Sequence, residues 1–219
     1  MPTIAEHALT LLADGMTIGL GTGRAANAFI EALGDRVRAG FKVRGVPTSE
    51  ASAALARQSG IPLLSLAEAG ELDMAFDGAD EVAPNLDLIK GWGGALVREK
   101  IVAASARRFV VLVGSEKLVA RLGERGKLPV EIVPFGLALC RRRLDALGLR
   151  PQLRATGHDP YVTDNGNLIL DCGLEPIEYP DDLDARIRAI PGVVGTGLFV
   201  GMTDCVLVQD GDRVTEKRR

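Results

Sequence analysis

Residues 17–38 read TIGLGTGRAANAFIEALGDRVR, and the fold follows from them. A strand over 17–20 runs into the turn Gly19-Leu20-Gly21-Thr22-Gly23-Arg24-Ala25-Ala26, which opens a helix over 25–38. The same alternation of short apolar runs and helical patterns extends on both sides. A helix over 4–13 precedes it. Strand 42–46, helix 49–59, a further short strand at 62–64 and strand 72–76 follow. A loop carrying acidic and glycine residues then feeds helix 95–106 and strand 109–113. Repeated βα units imply an α/β chain, a Rossmann-like, mainly parallel sheet with helices on both faces.

The pattern changes near Lys127. Strand 130–133 and helix 137–147 lead to Tyr161-Val162-Thr163, Asp164-Asn165-Gly166-Asn167 and a run over 168–171, a strong hairpin signal. Helix 183–189 and a strand over 193–199 complete an order close to βαββαβ, which predicts a small α+β ferredoxin-like lobe. The domain reading is therefore 1–127 with 200–219 as the α/β catalytic domain and 128–199 as the lobe. The apolar run 205–209 returns to the first sheet as an edge strand or stays unplaced. There is no internal repeat and no low-complexity linker.

Composition removes several classes of function. The 219 residues are 47% hydrophobic with a net charge of −3, enough for a substantial core. Runs such as 109–113 are too short to span a bilayer, and no charged-then-apolar leader begins the sequence, so a cytoplasmic location and no membrane partner are expected. Arg141, Arg142 and Arg143 read as a solvated helix face, and Lys217, Arg218 and Arg219 as a frayed terminus; no nucleic-acid partner is expected. Cys140, Cys172 and Cys205 form no CxxC pair and read as reduced packing residues. His7 and His158 have neither metal-ligand spacing nor a GxSxG serine beside them, which argues against a zinc site and a serine hydrolase.

The glycine turn follows a strand and opens a helix, where free amides and the helix dipole favour an anion. Gly21, Gly23 and Ala26 match the dinucleotide pattern GxGxxA, but that use needs an acidic residue ending the second strand. Val46-Pro47-Thr48-Ser49 stands there instead, with Glu50 already in the next helix. No GxxxxGK[ST] motif is present, so a small phosphorylated metabolite fits better than a nucleotide. Thr48 and Ser49 offer hydroxyls to a ligand, while Ser49 is also a natural helix N-cap.

Residues 77–99, DGADEVAPNLDLIKGWGGALVRE, carry groups suited to moving a proton beside a carbonyl without a metal. Asp77 and Asp80 sit in the loop after strand 72–76, where Gly78 and Ala79 leave room for both carboxylates to face a polyol. A solvated acidic turn is the competing reading. Lys90 stands before Gly91-Trp92-Gly93-Gly94, so an ammonium and loop amides could hold a developing oxyanion; a surface lysine is the alternative. Glu99 is the sharper case. Its helical neighbours are Ala95, Leu96, Val102 and Ala103, with no basic partner at three or four residues. A carboxylate so placed reads as a base in a partly dry site, where desolvation raises its pKa, or as one member of a distant ion pair such as one with Lys90. Lys117, after strand 109–113, also falls at the carboxyl rim of a parallel sheet.

The segments GLGTGRAA (19–26), VPTSEAS (46–52), DGADEV (77–82), IKGWGGALVREKI (89–101), KLPVEIVPFG (127–136), VTDNGNLILD (162–171) and IPGVVGTGLF (190–199) together resemble the type A ribose-5-phosphate isomerases. The resemblance spans almost the whole chain in the expected order. It implies interconversion of D-ribose 5-phosphate and D-ribulose 5-phosphate in the non-oxidative pentose phosphate branch, without metal or organic cofactor, by a homodimer or sometimes a tetramer. It places the proton acceptor on Glu99. The ligand segments fall on Thr22, Gly23, Arg24 and Ala25, on Asp77, Gly78, Ala79 and Asp80, and on Lys90, Gly91, Trp92 and Gly93, with Lys117 in addition.

There are three departures. Arg24 and Ala25 stand where many members carry serine and threonine, which implies that the Arg24 guanidinium supplies the phosphate contact or else points to solvent. The usual lysine of the N-terminal helix has no counterpart. Trp92 occupies a loop that is often all small residues, where its ring is expected to wall the pocket. A non-catalytic sugar-phosphate sensor of the same fold and a nucleotide-dependent dehydrogenase are the rival functions.

Overall fold

A computed structural model describes residues 3–219. In chain order the elements begin α1 (Ile4–Leu9), β1 (Thr17–Leu20), α2 (Arg24–Arg38), β2 (Arg44–Pro47), α3 (Glu50–Gln58), α4 (Leu66–Ala69) and β3 (Met74–Asp77). Next come β4 (Glu81–Val82), β5 (Leu88–Ile89), α5 (Leu96–Ala104), β6 (Phe109–Gly114) and β7 (Lys127–Ile132). The remainder is α6 (Leu137–Ala146), β8 (Arg150–Leu153), β9 (Ala155–Thr156), β10 (Asp159–Pro160), β11 (Leu168–Gly173), α7 (Pro180–Arg188), β12 (Val193–Thr196), β13 (Leu198–Phe199), β14 (Cys205–Asp210) and β15 (Arg213–Arg218). Two compact units result. One comprises residues up to Ala79, Arg98–Lys117 and Met202–Arg219; the other comprises Asp80–Val97 and Leu118–Gly201.

The first unit is a six-stranded sheet in the order β15-β14-β6-β3-β1-β2, parallel except for the β14–β15 pair. Helix α2 lays Phe29, Ile30 and Leu33 against Ile18, Leu20, Phe76 and Leu112, and all seven are fully buried. The rings of Phe29 and Phe76 stack at 4.5 Å. Serine and threonine caps set the helix starts: Thr3 with Glu6, Ser49 with Ser52, and Ser65 with Glu68 each form a capping box. Three expectations are corrected here. Helix α1 stops at Leu9 rather than at 13. The 62–64 strand reduces to the single bridge Gly45↔Leu63, because Pro62 has no amide to continue a ladder. The terminal residues are not frayed, since Lys217 and Arg218 belong to β15, which takes the sheet edge and leaves β14 inside. Charged side chains on an edge strand discourage pairing with other chains, and that polarity hid the strand in the sequence.

The second unit holds the antiparallel sheet β12-β7-β11-β8 with helices α6 and α7, the strand order of a ferredoxin-like βαββαβ unit. Its core includes Leu128, Val130, Ile132, Leu144, Leu170 and Ile187. The second strand of that unit is β8, not the 161–163 arm of the hairpin. That arm makes one bridge, Val162↔Leu168, while β11 pairs along its length with β7 and β8. The strand expected over 193–199 divides at Gly197 into β12 and β13, and β13 pairs with β5 in the small sheet β13-β5-β4. Strands β4 and β5 thus lie inside what reads in sequence as a loop. The three cysteines are buried and free, and burial pushes the Cys172 and Cys205 thiols up to about 12, as packing residues require.

Candidate active site

In the first unit the carboxyl ends of β1, β2, β3 and β6 lie on one rim, because these strands are parallel. The turn after β1 passes so close to β3 that a Cβ on Gly21 would stand 2.3 Å from the Asp77 carboxyl carbon. Asp77, 2% exposed, uses this approach: its Oδ1 accepts from the amides of Thr22 (3.1 Å) and Gly78 (2.7 Å). The Thr22 hydroxyl lies 2.8 Å from the Thr48 hydroxyl and donates to Ser49 Oγ, also at 2.8 Å. Ser49 caps α3 as well, as the sequence predicts, while its hydroxyl lies beside the turn. Gly23, at φ 105°, is the N-cap of α2 and provides no side-chain cap, which leaves the first-turn amides beside Ala25 open to an anion.

Arg24 begins α2 with its side chain 91% exposed and 3.5 Å from Glu116. Lys117 is half-buried in the 3-10 turn after β6. Glu99 lies on α5 with only 4% of its surface exposed, and Val102 and Ala103, one turn further on, are buried as well. Its neighbour Arg98 turns to Glu50 at 3.0 Å. Two of the apolar helical neighbours read from the sequence are thus buried together with Glu99.

In the second unit Asp80 begins the β4–β5 hairpin, and its Oδ2 accepts from the Trp92 amide at 2.9 Å. Lys90, 2% exposed, follows β5; its amide donates to the Gly197 carbonyl and its ammonium lies 5.6 Å from the centre of the Phe199 ring. Trp92 donates its indole N–H to the Lys127 carbonyl at 3.2 Å, and its ring is flanked by Arg125 and Lys127. That ring anchors the glycine loop onto β7. Sequence reasoning missed Arg154, whose guanidinium donates to the carbonyls of Gly91 and Trp92, both at 3.1 Å. Arg154 stands some sixty residues from the loop, and no local pattern marks it.

Glu81, beside Asp80 in this acidic stretch, is fully buried and accepts from the amides of Gly123 (2.6 Å) and Arg125 (2.9 Å). Burial raises its carboxyl above the ordinary range, more than the two amides lower it. A raised folded-state value means that Glu81 contributes most stability below its unfolded pKa and loses it as pH rises through the folded value. Glu81→Gln turns an amide NH₂ toward backbone donors and should cost about 1–3 kcal/mol. The wild-type advantage in melting temperature should be largest below the ordinary value of 4.5 and shrink as pH rises above it. A gap that widens with pH would contradict this.

Among the described residues, no three His, Cys, Asp or Glu side chains are grouped as metal ligands, and no helix is long and apolar enough to cross a membrane. Residues 44–213 match the family model of ribose 5-phosphate isomerase A (phosphoriboisomerase A). The ribose-5-phosphate isomerase A of Roseiflexus sp. (strain RS-1) is 56% identical over 215 residues, 97% of this chain and 92% of that protein. The solved structure of ribose 5-phosphate isomerase A from Methanocaldococcus jannaschii matches with a TM-score of 0.94 at 42% identity, over 99% of this chain and 96% of that one. A D-ribose-5-phosphate isomerase solved in complex with phospho-erythronic acid matches with a TM-score of 0.95 at 39% identity, over the same shares. These relatives are enzymes, which favours catalysis over the sensor reading. The chain belongs to the ribose 5-phosphate isomerase A family and is an isomerase.

Proposed function

We propose that this chain interconverts D-ribose 5-phosphate and D-ribulose 5-phosphate by metal-free proton transfer, with Glu99 as the base. The observation that carries the assignment is the burial of Glu99, 4% exposed on α5, in a chain of this family. In the open-chain aldose Glu99 takes the C2 proton. The C–H electron pair forms the C1=C2 bond, and the carbonyl pair moves onto O1 to give a cis-enediolate. Glu99 returns its proton to C1, the O2 proton passes to O1, and C2 becomes the carbonyl of the ketose. Lys90 with the amides of Gly91 and Gly93 holds the oxyanion, and Asp77 and Asp80 orient hydroxyls and assist ring opening.

The phosphate sits at Thr22, Gly23, Arg24 and Ala25, with Lys117 close to the same rim. Phospho-erythronic acid, bound by a relative, joins a phosphate to a carboxylate that can stand in for the enediolate, which supports a sugar-phosphate substrate. The same reading gives the chain a place in the non-oxidative pentose phosphate branch, in the cytoplasm, as a homodimer or a tetramer. The test is a coupled assay of ribose 5-phosphate against ribulose 5-phosphate with and without chelator. Equal turnover in both supports the proposal; no turnover, or loss on chelation, overturns it. Arg24→Ala should raise KM about 3–10-fold with kcat nearly unchanged, because an exposed guanidinium contributes only part of a full charged hydrogen bond. An unchanged KM would leave Arg24 as a surface residue.

A further inference from the structure

We infer that Arg154 is the positioning residue of the oxyanion-holding loop, an assignment that rests on the isomerase reading above. Its Nη1 donates to two successive carbonyls, those of Gly91 and Trp92, both at 3.1 Å. No peptide bond in the described residues is cis, so each carbonyl points opposite to the amide of the following residue. The first peptide is therefore held at both ends: carbonyl to Arg154, and Trp92 N–H to Asp80 Oδ2 at 2.9 Å. The second is held at its carbonyl, which turns the Gly93 amide away from the guanidinium. A cation on a peptide carbonyl also polarises the amide of the same peptide and makes it a stronger donor.

The guanidinium is itself fixed. Its side chain is only 11% exposed and pairs with Asp171 through two nitrogens, Nε at 2.9 Å among them, while Lys127 reaches the same carboxylate at 3.1 Å. Tyr161 completes the setting. Its ring lies 5.7 Å from the Arg154 guanidinium, and its hydroxyl lies so near Gly94 that a Cβ there would stand 2.2 Å from it. A loop of three glycines and Trp92 thus has one nearly buried cation setting two of its peptide planes. Rigid support of this kind is what a preorganised donor set needs, since donors act in the transition state only if they are already aimed.

The experiment compares wild type, Arg154→Met, Arg154→Lys and Asp171→Asn in the isomerase assay, with competitive inhibition by phospho-erythronic acid and by inorganic phosphate. Arg154→Met should lower kcat and kcat/KM together by about 10–100-fold, with KM within about twofold, because an oxyanion contact is made mainly in the transition state. Affinity for phospho-erythronic acid should fall with kcat, while affinity for inorganic phosphate stays unchanged. Arg154→Lys should recover part of the loss, and Asp171→Asn, which keeps the guanidinium but frees it, should show the same split at about 3–10-fold. Rates are referred to folded enzyme, so if Arg154→Met does not fold, Asp171→Asn carries the test. An unchanged kcat per folded molecule, or equal losses for both inhibitors, overturns the inference. Wild type without turnover would instead overturn the isomerase reading, so the two failures are told apart.

Discussion

Glu99→Gln should lower kcat for ribose 5-phosphate by about 10²–10⁴-fold, the range that a positioned general base supplies. The replacement has nearly the same shape, so a site only 4% exposed accepts it without a cavity. It removes the one property the mechanism needs there, a carboxylate that can take the C2 proton and give it back at C1. The effect should fall on kcat and spare binding: affinity for inorganic phosphate should stay within about threefold of wild type, because the turn around Thr22 and the first-turn amides of α2 are untouched. Exchange of the C2 proton with solvent deuterium should be lost in parallel, and the melting temperature should move by only a few degrees. Turnover within about tenfold of wild type, in folded protein, would move the base to another carboxylate, with Asp77 and Asp80 the next to test.

The strand–turn–helix around Gly21 was legible because each level of the sequence agreed: apolar strand, small residues where the turn crosses β3, and an amphipathic helix whose apolar residues reach the sheet. The burial of Glu99 was legible for a related reason, since its helical neighbours are apolar. The misses have physical causes as well. Strand β15 is charged because it is an edge, so its composition resembles a tail. Strands β4 and β5 are two residues each, and β5 is held between β4 and β13, the latter more than a hundred residues away, which no local pattern records. Glu81 and Arg154 look like ordinary surface charges in the sequence. Each leaves the solvent only when another segment supplies its partners, Gly123 and Arg125 for the fully buried Glu81 and Asp171 for the nearly buried Arg154.

The same distinction governs the largest expected loss of stability, at Glu131 on β7. The sequence Thr163-Asp164-Asn165-Gly166-Asn167 reads as turn chemistry, but three of its side chains turn inward on one atom. Thr163 donates to Glu131 Oε1 at 3.0 Å, Asn165 at 3.0 Å and Asn167 at 2.9 Å. Glu131 is fully buried, and its second oxygen has no hydrogen-bond partner among the described residues. Glu131→Ala would leave the buried Thr163 hydroxyl without an acceptor, release two asparagines that fix the hairpin, and open a cavity beside β7. Together these should cost about 3–5 kcal/mol, the range for breaking a buried polar network. For a chain of this size that corresponds to a fall in melting temperature of about 6–20 °C. Glu131→Gln keeps an acceptor oxygen of the same reach and should lose about half as much or less. The comparison separates the hydrogen bonds from the volume: equal losses in Ala and Gln would mean that the network tolerates nothing but a carboxylate, and a loss under about 1 kcal/mol in Ala would mean that the hairpin holds through its backbone bridge and the Thr163–Asn167 backbone bond alone. The lobe's four-stranded sheet should unfold first in the Ala variant, since β7 is one of its two central strands and the 162–168 hairpin feeds the other. Hydrogen exchange should then accelerate in β7 and β11 before it does in β1 and β3.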